Sequence, residues 1–173
     1  GCGIIYLSVW AACRLYEVFA ARRNANDSWS AGSGATWDLR SHALRPAGWT
    51  SADAAGLPIL PGLVRYDEVA AGKVEHAIRM TVPVSRTSYV WPARHQAGST
   101  GDSDAPPMGQ RFRLRDSVDE STFPAQVRPI IRALKVYGAI NADNGSPWYI
   151  TGVPDERWDN DALRTLGRIK GSD

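Results

Sequence analysis

Only two cysteines stand in this chain of 173 residues, and neither belongs to a C-x-x-C pair. No Cys/His ligand spacing supports a structural zinc site. A Cys2–Cys13 bridge between two paired strands and two separate thiols both fit the spacing. Lysine is scarce, with 3 against 17 arginines, and the net charge is only +2. A surface built to neutralise phosphates is therefore not expected, nor a nucleic-acid partner. Long apolar runs are also missing. A membrane span needs roughly 20 apolar residues, and the best stretch, Ile4–Ala21, is broken by Arg14 and Glu17. The basic start of a signal peptide is absent, and a start at Gly1 is expected for a processed form or a fragment. No G-x-S-x-G elbow occurs, which excludes an α/β-hydrolase. The glycine-bearing strings AGSGA and GSTG lack a lysine at the offset of a phosphate loop.

Turn formers and tryptophan are plentiful instead. Glycine and proline together number 27 and tryptophan 7, so frequent turns and few long helices are expected. Apolar segments joined by Gly, Pro or Asn-Gly turns recur at Leu57–Val74, His76–Val84 and Phe123–Ile150. This pattern points to a compact, β-rich secreted domain long enough to bury a sizeable core.

Along the chain, Ile4–Trp10 and Cys13–Phe19 read as two adjacent strands rich in aromatic and branched residues. Asn26–Asp27 marks a hairpin loop, and a strand is expected near Ala35–Leu39. Ser41–Gly56 reads as irregular, anchored in the core by Trp49. Pro58 and Pro61 make Leu57–Val64 extended but poorly suited to a central strand. Arg65–Ala71 suits one helical turn closed by Gly72. The clearest strand is Val74–Val82: Val74, His76, Ile78, Met80 and Val82 face the core, and Glu75, Ala77, Arg79 and Thr81 face away. A second alternation runs over Arg111–Arg115, after a long polar loop at Gln96–Met108.

One amphipathic helix is predicted within Pro124–Tyr137, on the stripe Val127, Ile130, Ile131, Leu134 and Tyr137. Ser121 or Thr122 could cap it and Gly138 could end it, while Pro129 should push its regular part to begin near Arg128. Ala139–Ala142 reads as a strand, Asp143–Gly145 as a turn and Trp148–Thr151 as the returning strand. Asp161–Ile169 suits a short helix capped by Asp159 or Asn160.

Four strings carry a resemblance: LRPAGWTSADAAGLPILPGLVRYDEV at Leu44–Val69, YVWPARH at Tyr89–His95, PPMG at Pro106–Gly109 and ADNGSPWYITGVPDERWDND at Ala142–Asp161. Together they resemble an uncharacterised family of bacterial extracellular proteins. The resemblance covers residues 13 to 172; the opening GCGIIYLSVWAA departs from it. It implies an extracellular location and brings no activity. The run ALKVYGAINADNG is similar to a helix-then-strand unit of bacterial β-sandwich proteins that act on polysaccharides, an analogy at the level of fold.

The residues offer several chemistries. Glycoside hydrolysis needs two carboxylates roughly 5–10 Å apart. Asp67, Glu68, Glu75 and Asp143 are candidates, although Asp67 and Glu68 equally suit a solvated helical turn. The E-x-D-x-x-E strand of concanavalin-like glucanases is absent. His76 reads as a core histidine. His95, beside Trp91 and Arg94 at the mouth of the long loop, is the best candidate for a functional histidine; a metal site would need His42, His76 and His95 to converge. Asp102 with Asp104, or Asp155 with Asp159 and Asp161, could take Ca²⁺, but EF-hand spacing is missing and helix capping accounts for Asp159 and Asp161. No cofactor is otherwise expected. Trp91, Trp148, Tyr149 and Trp158 could stack on sugars or plug the ends of the core.

These readings give a mainly β protein, residues 1–173 forming a single antiparallel β-sandwich or jelly-roll-like domain with one packed helix and a short C-terminal helix. A parallel β-α-β arrangement is not expected. The function that follows is a secreted, glycan-directed protein that binds or hydrolyses a polysaccharide or oligosaccharide in a cleft of tryptophan and carboxylates. Asp67, Glu68 and Asp143 are the catalytic candidates; Arg65, Arg79, His95, Asn144 and Trp148 are the ligand-binding candidates. Arg79 is expected to line a groove and pair with Asp67 or Glu68. The alternative is a non-catalytic extracellular structural or surface-assembly protein.

Overall fold

The computed structural model describes residues 13–173 and the strand backbone at Ile5–Val9. Cys2 lies outside the described residues, and so do Ile4 and Trp10 at the ends of the first expected strand. Strands β1 (Ile5–Val9), β2 (Arg14–Phe19) and β5 (Ser33–Asp38) form one antiparallel sheet in the order β1-β2-β5. Between them, β3 (Arg22–Arg23) and β4 (Trp29–Ser30) make a small hairpin whose turn holds Asp27 at a φ of 63°. Asparagine and aspartate tolerate that left-handed geometry, as the Asn26–Asp27 reading anticipates.

The second sheet is mixed. Its order is β7 (Arg111–Phe112), β8 (Ala139–Asn144), β6 (Ile78–Val82), β9 (Tyr149–Ile150). Strand β6 runs parallel to β8 and antiparallel to β9. Helix α2 (Arg128–Val136) lies between β6 and β8 in the chain, so the unit is a crossover of the β-α-β kind. Helix α1 (Tyr66–Ala70) and helix α3 (Asn160–Arg164) complete the set. The protein is thus a small mixed α/β fold with sheets of two to four strands, not a single antiparallel β-sandwich or jelly roll. The alternating runs that suggested a β protein are real, but they are short. Arg111–Arg115 pairs only as far as Phe112, because the Leu114 N–H turns to the Leu134 carbonyl of α2.

Helix α2 follows its sequence. Pro129 sits in the first turn, where its missing N–H costs nothing, and the regular helix begins at Arg128. Gly138 ends it at a φ of +76°, where a Cβ would lie 2.3 Å from the Phe112 carbonyl oxygen. Its cap differs from expectation. Asp119, not Ser121 or Thr122, caps the 3-10 turn Glu120–Thr122, and a second 3-10 turn at Ala125–Val127 leads into α2. The stripe then buries Ile130, Ile131 and Ala133. Ile130 and Ala133 meet Ile78 of β6, Val64, Val69 and Val74. Ile131 and Val127 meet Phe123 and Ala162 of α3. Asp159 caps α3 as expected, accepting from the Asp161 and Ala162 N–H groups.

All five residues of β6 are buried, so it has no polar outer face. Ile78 and Met80 face α2; the face bearing Arg79 is covered by the segment Ser51–Val64. His76 precedes the strand and is half-buried, its Nδ1 at 2.9 Å from the Ala77 carbonyl and its Nε2 at 3.3 Å from the Glu68 carboxylate. Trp49, expected to anchor the core, is 57% exposed and lies against Arg45 instead.

A buried carboxylate ties the first sheet to the segment that covers the second. Leu15 and Glu17 point inward from β2, with Leu15 among Ala35, Trp37 and Leu60. Glu17 accepts hydrogen bonds from the Ile59 N–H at 2.9 and 3.0 Å and from the Leu60 N–H at 2.9 Å, at the head of the 3-10 turn Leu60–Gly62. Burial raises its pKa, against which those N–H groups act. Removing a buried acceptor leaves donors unsatisfied, so Glu17→Ala should cost about 3 kcal/mol. Glu17→Gln should recover only part of this, because an amide NH₂ cannot accept. Urea unfolding of the two variants checks it; parent-like stability in both would show that the bonds to the 3-10 turn contribute little.

Candidate functional site

The Arg79 guanidinium is the centre of the polar interior. It is 8% exposed and splits its donors three ways. Nε reaches Asp53 Oδ2 at 3.2 Å, Nη2 reaches Asp143 Oδ2 at 3.5 Å, and Nη1 reaches the Thr151 hydroxyl at 3.4 Å. The expected partners, Asp67 and Glu68, are not among them. Gly62 makes room for this arrangement, since a Cβ there would stand 3.0 Å from the Arg79 Cβ.

Asp143 reaches Arg79 because of an irregularity in β8. Arg79 pairs with Ile140 and Met80 with Asn141, but Thr81 then pairs with Asp143, so the register slips by one at Ala142. A one-residue slip moves a side chain to the other face. Without it Asp143 would point to the α2 side; with it Asp143 joins Arg79 and Thr81. The strand continues to Asn144, so the turn expected at Asp143–Gly145 begins only after Asn144. Gly145 fits where a Cβ would lie 2.9 Å from the Thr81 hydroxyl.

Asp53 arrives from a loop wound around Ser51. The Ser51 hydroxyl donates to the Leu57 carbonyl at 2.7 Å, with the Asp53 carbonyl also near at 3.1 Å, and accepts from the Asp53 N–H. Gly56 closes the loop at a φ of +70°, where a Cβ would lie 2.5 Å from the Trp49 carbonyl oxygen. The Ala55 N–H bonds the Ala142 carbonyl, which seats the loop on β8. His95 braces it from the other side, its Nδ1 at 3.0 Å from the Ala54 carbonyl.

The electrostatics of the two aspartates differ. Asp53 is wholly buried, and burial pushes it up to about 7, with the Arg79 charge pulling it down and the Asp143 charge adding to the rise. Its Oδ1 has no hydrogen-bond partner among the described residues. Asp143 keeps 30% of its side chain exposed. Partial burial raises its pKa, opposed by Arg79 and by the backbone of Asn144 and Ala54. One carboxylate is sealed and holds a proton near neutrality; the other faces water beside a fixed cation. Thr81 also pairs with Tyr149, so Asp143, Thr81 and Tyr149 form a row across three strands on the Arg79 face. Tyr149 is 57% exposed, and two strand spacings put the ends of the row about 10 Å apart.

The remaining candidates fall elsewhere, so the eight do not share one concavity. Arg65 pairs with Glu68, and both line a shallow hollow of about 420 Å³ with Glu75 and His76. Asp67 is 82% exposed and pairs with Arg157 at 2.9 Å. Asn144 accepts from the Ser85 hydroxyl and donates to the Ala97 carbonyl, fastening the long loop to β8. Trp148 turns to the opposite side of the sheet, edge-on to Phe112 at 5.1 Å between ring centres. The Ca²⁺ candidates are held by protein groups: Asp155 by Arg157, Asp161 by Arg164, Asp159 by the α3 cap, and the Asp102 carboxylate by the Asp104 N–H. Among the described residues no cluster of three or more His, Cys, Asp or Glu could hold a metal ion, and no helix is long and apolar enough to cross a membrane.

The sequence reading missed Asp53, Glu17 and Thr151. Asp53 had a signal: a lone acid in the small, apolar string Ser-Ala-Asp-Ala-Ala-Gly-Leu has too few polar neighbours for a solvated loop. Glu17 had another, since it shares the inward period of Leu15. No protein-family model, curated protein or solved structure matches the chain.

The raised Asp53 pKa fixes the sign of a pH effect. Between its ordinary value of 3.8 and about 7 the unfolded chain has lost this proton while the folded protein keeps it. Stability should therefore fall as pH rises through that window and level off above it, with a slope from this group of about 1.4 kcal/mol per pH unit. Asp53→Asn should flatten the profile by that amount. Urea unfolding from pH 4 to 8 measures it; an unchanged slope would mean that Asp53 is ionised throughout.

Proposed function

We propose that this is a glycan-directed protein that binds a polysaccharide or oligosaccharide at Asp143 and Tyr149, which flank the buried Thr81. The observation that carries the reading is Asp143, a half-desolvated carboxylate fixed by Arg79 and open to solvent on one side. A carboxylate held this way accepts hydrogen bonds from sugar hydroxyls without first having to be ordered, and an exposed tyrosine ring two strands away offers an apolar face for a sugar. Asp53 is sealed from any ligand and acts as a positioning residue: it holds Arg79 and so sets the charge beside Asp143. Binding is favoured over hydrolysis because the two-carboxylate mechanism needs both groups at the substrate, and only Asp143 opens outward. An extracellular location, as the bacterial resemblance implies, suits such a ligand.

A second reading rests on the burial of Arg79 and Asp53. The cluster would then serve only to join the sheets of a non-catalytic structural or surface-assembly protein.

A panel of soluble polysaccharides and their oligosaccharides separates the two. The first reading expects saturable binding by at least one, weakened about tenfold or more by Asp143→Asn through a lost charge-assisted hydrogen bond. Tyr149→Ala should weaken it too at a melting temperature near the parent value, while Asp143→Asn, which keeps an oxygen for Arg79, should stay folded. Release of reducing ends, lost in Asp143→Asn, would extend the reading to hydrolysis. No binding to any glycan, with a large loss of stability in Asp143→Asn, would leave the structural reading standing.

A further inference from the structure

The other face of the same sheet bounds a larger concavity, which meets the glycan reading only at Tyr149. It is a cavity of about 870 Å³, within the roughly 300–1,000 Å³ of small-molecule sites. Met80 and Ile150 form its sheet wall, Ile130 and Leu134 of α2 a second wall, and Leu163 and Leu166, from α3 and the turn after it, a third. The Phe112–Trp148 pair closes one end, with Gly171 lying on the Trp148 ring. It is open to solvent on one side, so it is a groove in the surface and not an enclosed packing gap.

Its charges have one sign. Among the described residues the lining includes Arg113, Arg164 and Lys170 and no aspartate or glutamate. Arg164 is paired with Asp161. Arg113 donates only to the Lys135 carbonyl, and Lys170 Nζ only to the Gly167 carbonyl. Neither forms an ion pair among the described residues. Both are exposed, so the cations lie at the rim and the apolar walls lie within. The interior offers few polar groups to a sugar: the Thr151 hydroxyl accepts from Arg79, and the Trp158 indole N–H donates to the Val153 carbonyl. An apolar body inside and an anionic head outside are complementary to this arrangement.

We propose that this cavity binds a long-chain amphiphile with a single anionic head, of the fatty-carboxylate class, its tail among Met80, Leu134 and Leu166 and its head between Arg113 and Lys170. Tyr149 borders both this cavity and the Asp143 row, whereas Asp143 lies outside the lining, so Asp143→Asn separates the failure of one site from that of the other.

The test uses the full chain with cis-parinarate as fluorescent probe, oleate as competitor and oleyl alcohol as the uncharged control. Saturable binding of one parinarate, displaced by oleate and about tenfold less well by oleyl alcohol, is the expected result. The exposed pair Arg113→Gln with Lys170→Gln should weaken oleate by about tenfold at an unchanged melting temperature. It should leave oleyl alcohol unaffected. Leu134→Trp, which fills the cavity, should abolish both; should that variant not fold, the rim pair still decides. Three outcomes overturn the proposal: no saturable binding, oleate binding indifferent to the rim pair, or a dimer that buries the cavity and excludes the probe.

Discussion

The constraint on which the rest of this fold depends is the buried Arg79 guanidinium. A buried cation is tolerated only if its donors are met, and here three parts of the chain meet them. Asp53 comes from a loop held by Ser51 and Gly56, Asp143 from a strand that must slip its register to reach, and Thr151 from the residue after β9. The 3-10 turn at Leu60–Gly62 lies on Arg79 through Gly62 and is held at its head by Glu17 of the first sheet. The sheets are thus joined through a polar chain, with small apolar clusters around it. Asp53 and Asp143 beside one guanidinium leave an excess of negative charge. Retention of a proton on Asp53 up to about pH 7 relieves it.

The sheet separates two chemistries by strand parity. Along β6, Arg79 and Thr81 face the acids while Ile78, Met80 and Val82 face α2. Along β9, Tyr149 sits opposite Thr81 and Ile150 opposite Met80. Successive residues therefore alternate between a charged face, open to water only at Asp143 and Tyr149, and an apolar cavity rimmed by cations. The slip in β8 breaks this parity, and it moves the Asp143 carboxylate from the cavity side to the Arg79 side.

Much of the local structure was legible. The apolar stripe of α2, the effect of Pro129, the Gly138 stop, the Asp159 cap and the pairing of β1 with β2 all rest on short-range rules, and the structure follows them. Fold class was not legible, because it turned on which strands pair. Val74–Val82 alternates like a half-exposed strand, yet loop Ser51–Val64 covers its outer face, and a covered strand cannot be told from an open one by period alone. The site was half legible. Arg79 and Asp143 were singled out, but the sequence could not bring Asp53 to them from an irregular loop. Nor could it foresee that the register slip turns Asp143 and Trp148 to opposite sides. Adjacency in the chain had suggested a shared site for those two, and strand parity separates them.

The scarcity of lysine acquires a physical meaning at this centre. An ammonium at position 79 would be a point charge on a flexible stem, able to approach one carboxylate at a time. The guanidinium is planar and presents Nε, Nη1 and Nη2 along three fixed directions. Here these directions lead to Asp53, Thr151 and Asp143. Only such a fork can hold a sealed acid and an open one at once, and so keep Asp143 in place at the surface while Asp53 stays dry. The same planarity serves elsewhere: Arg157 lies over the Tyr66 ring at 4.2 Å while gripping Asp67 and Asp155, and Arg168 lies over Phe123 at 4.1 Å. Arginine in this chain therefore joins segments that the short strands and helices do not join by themselves, and Arg79 is the instance in which the joint also shapes a site.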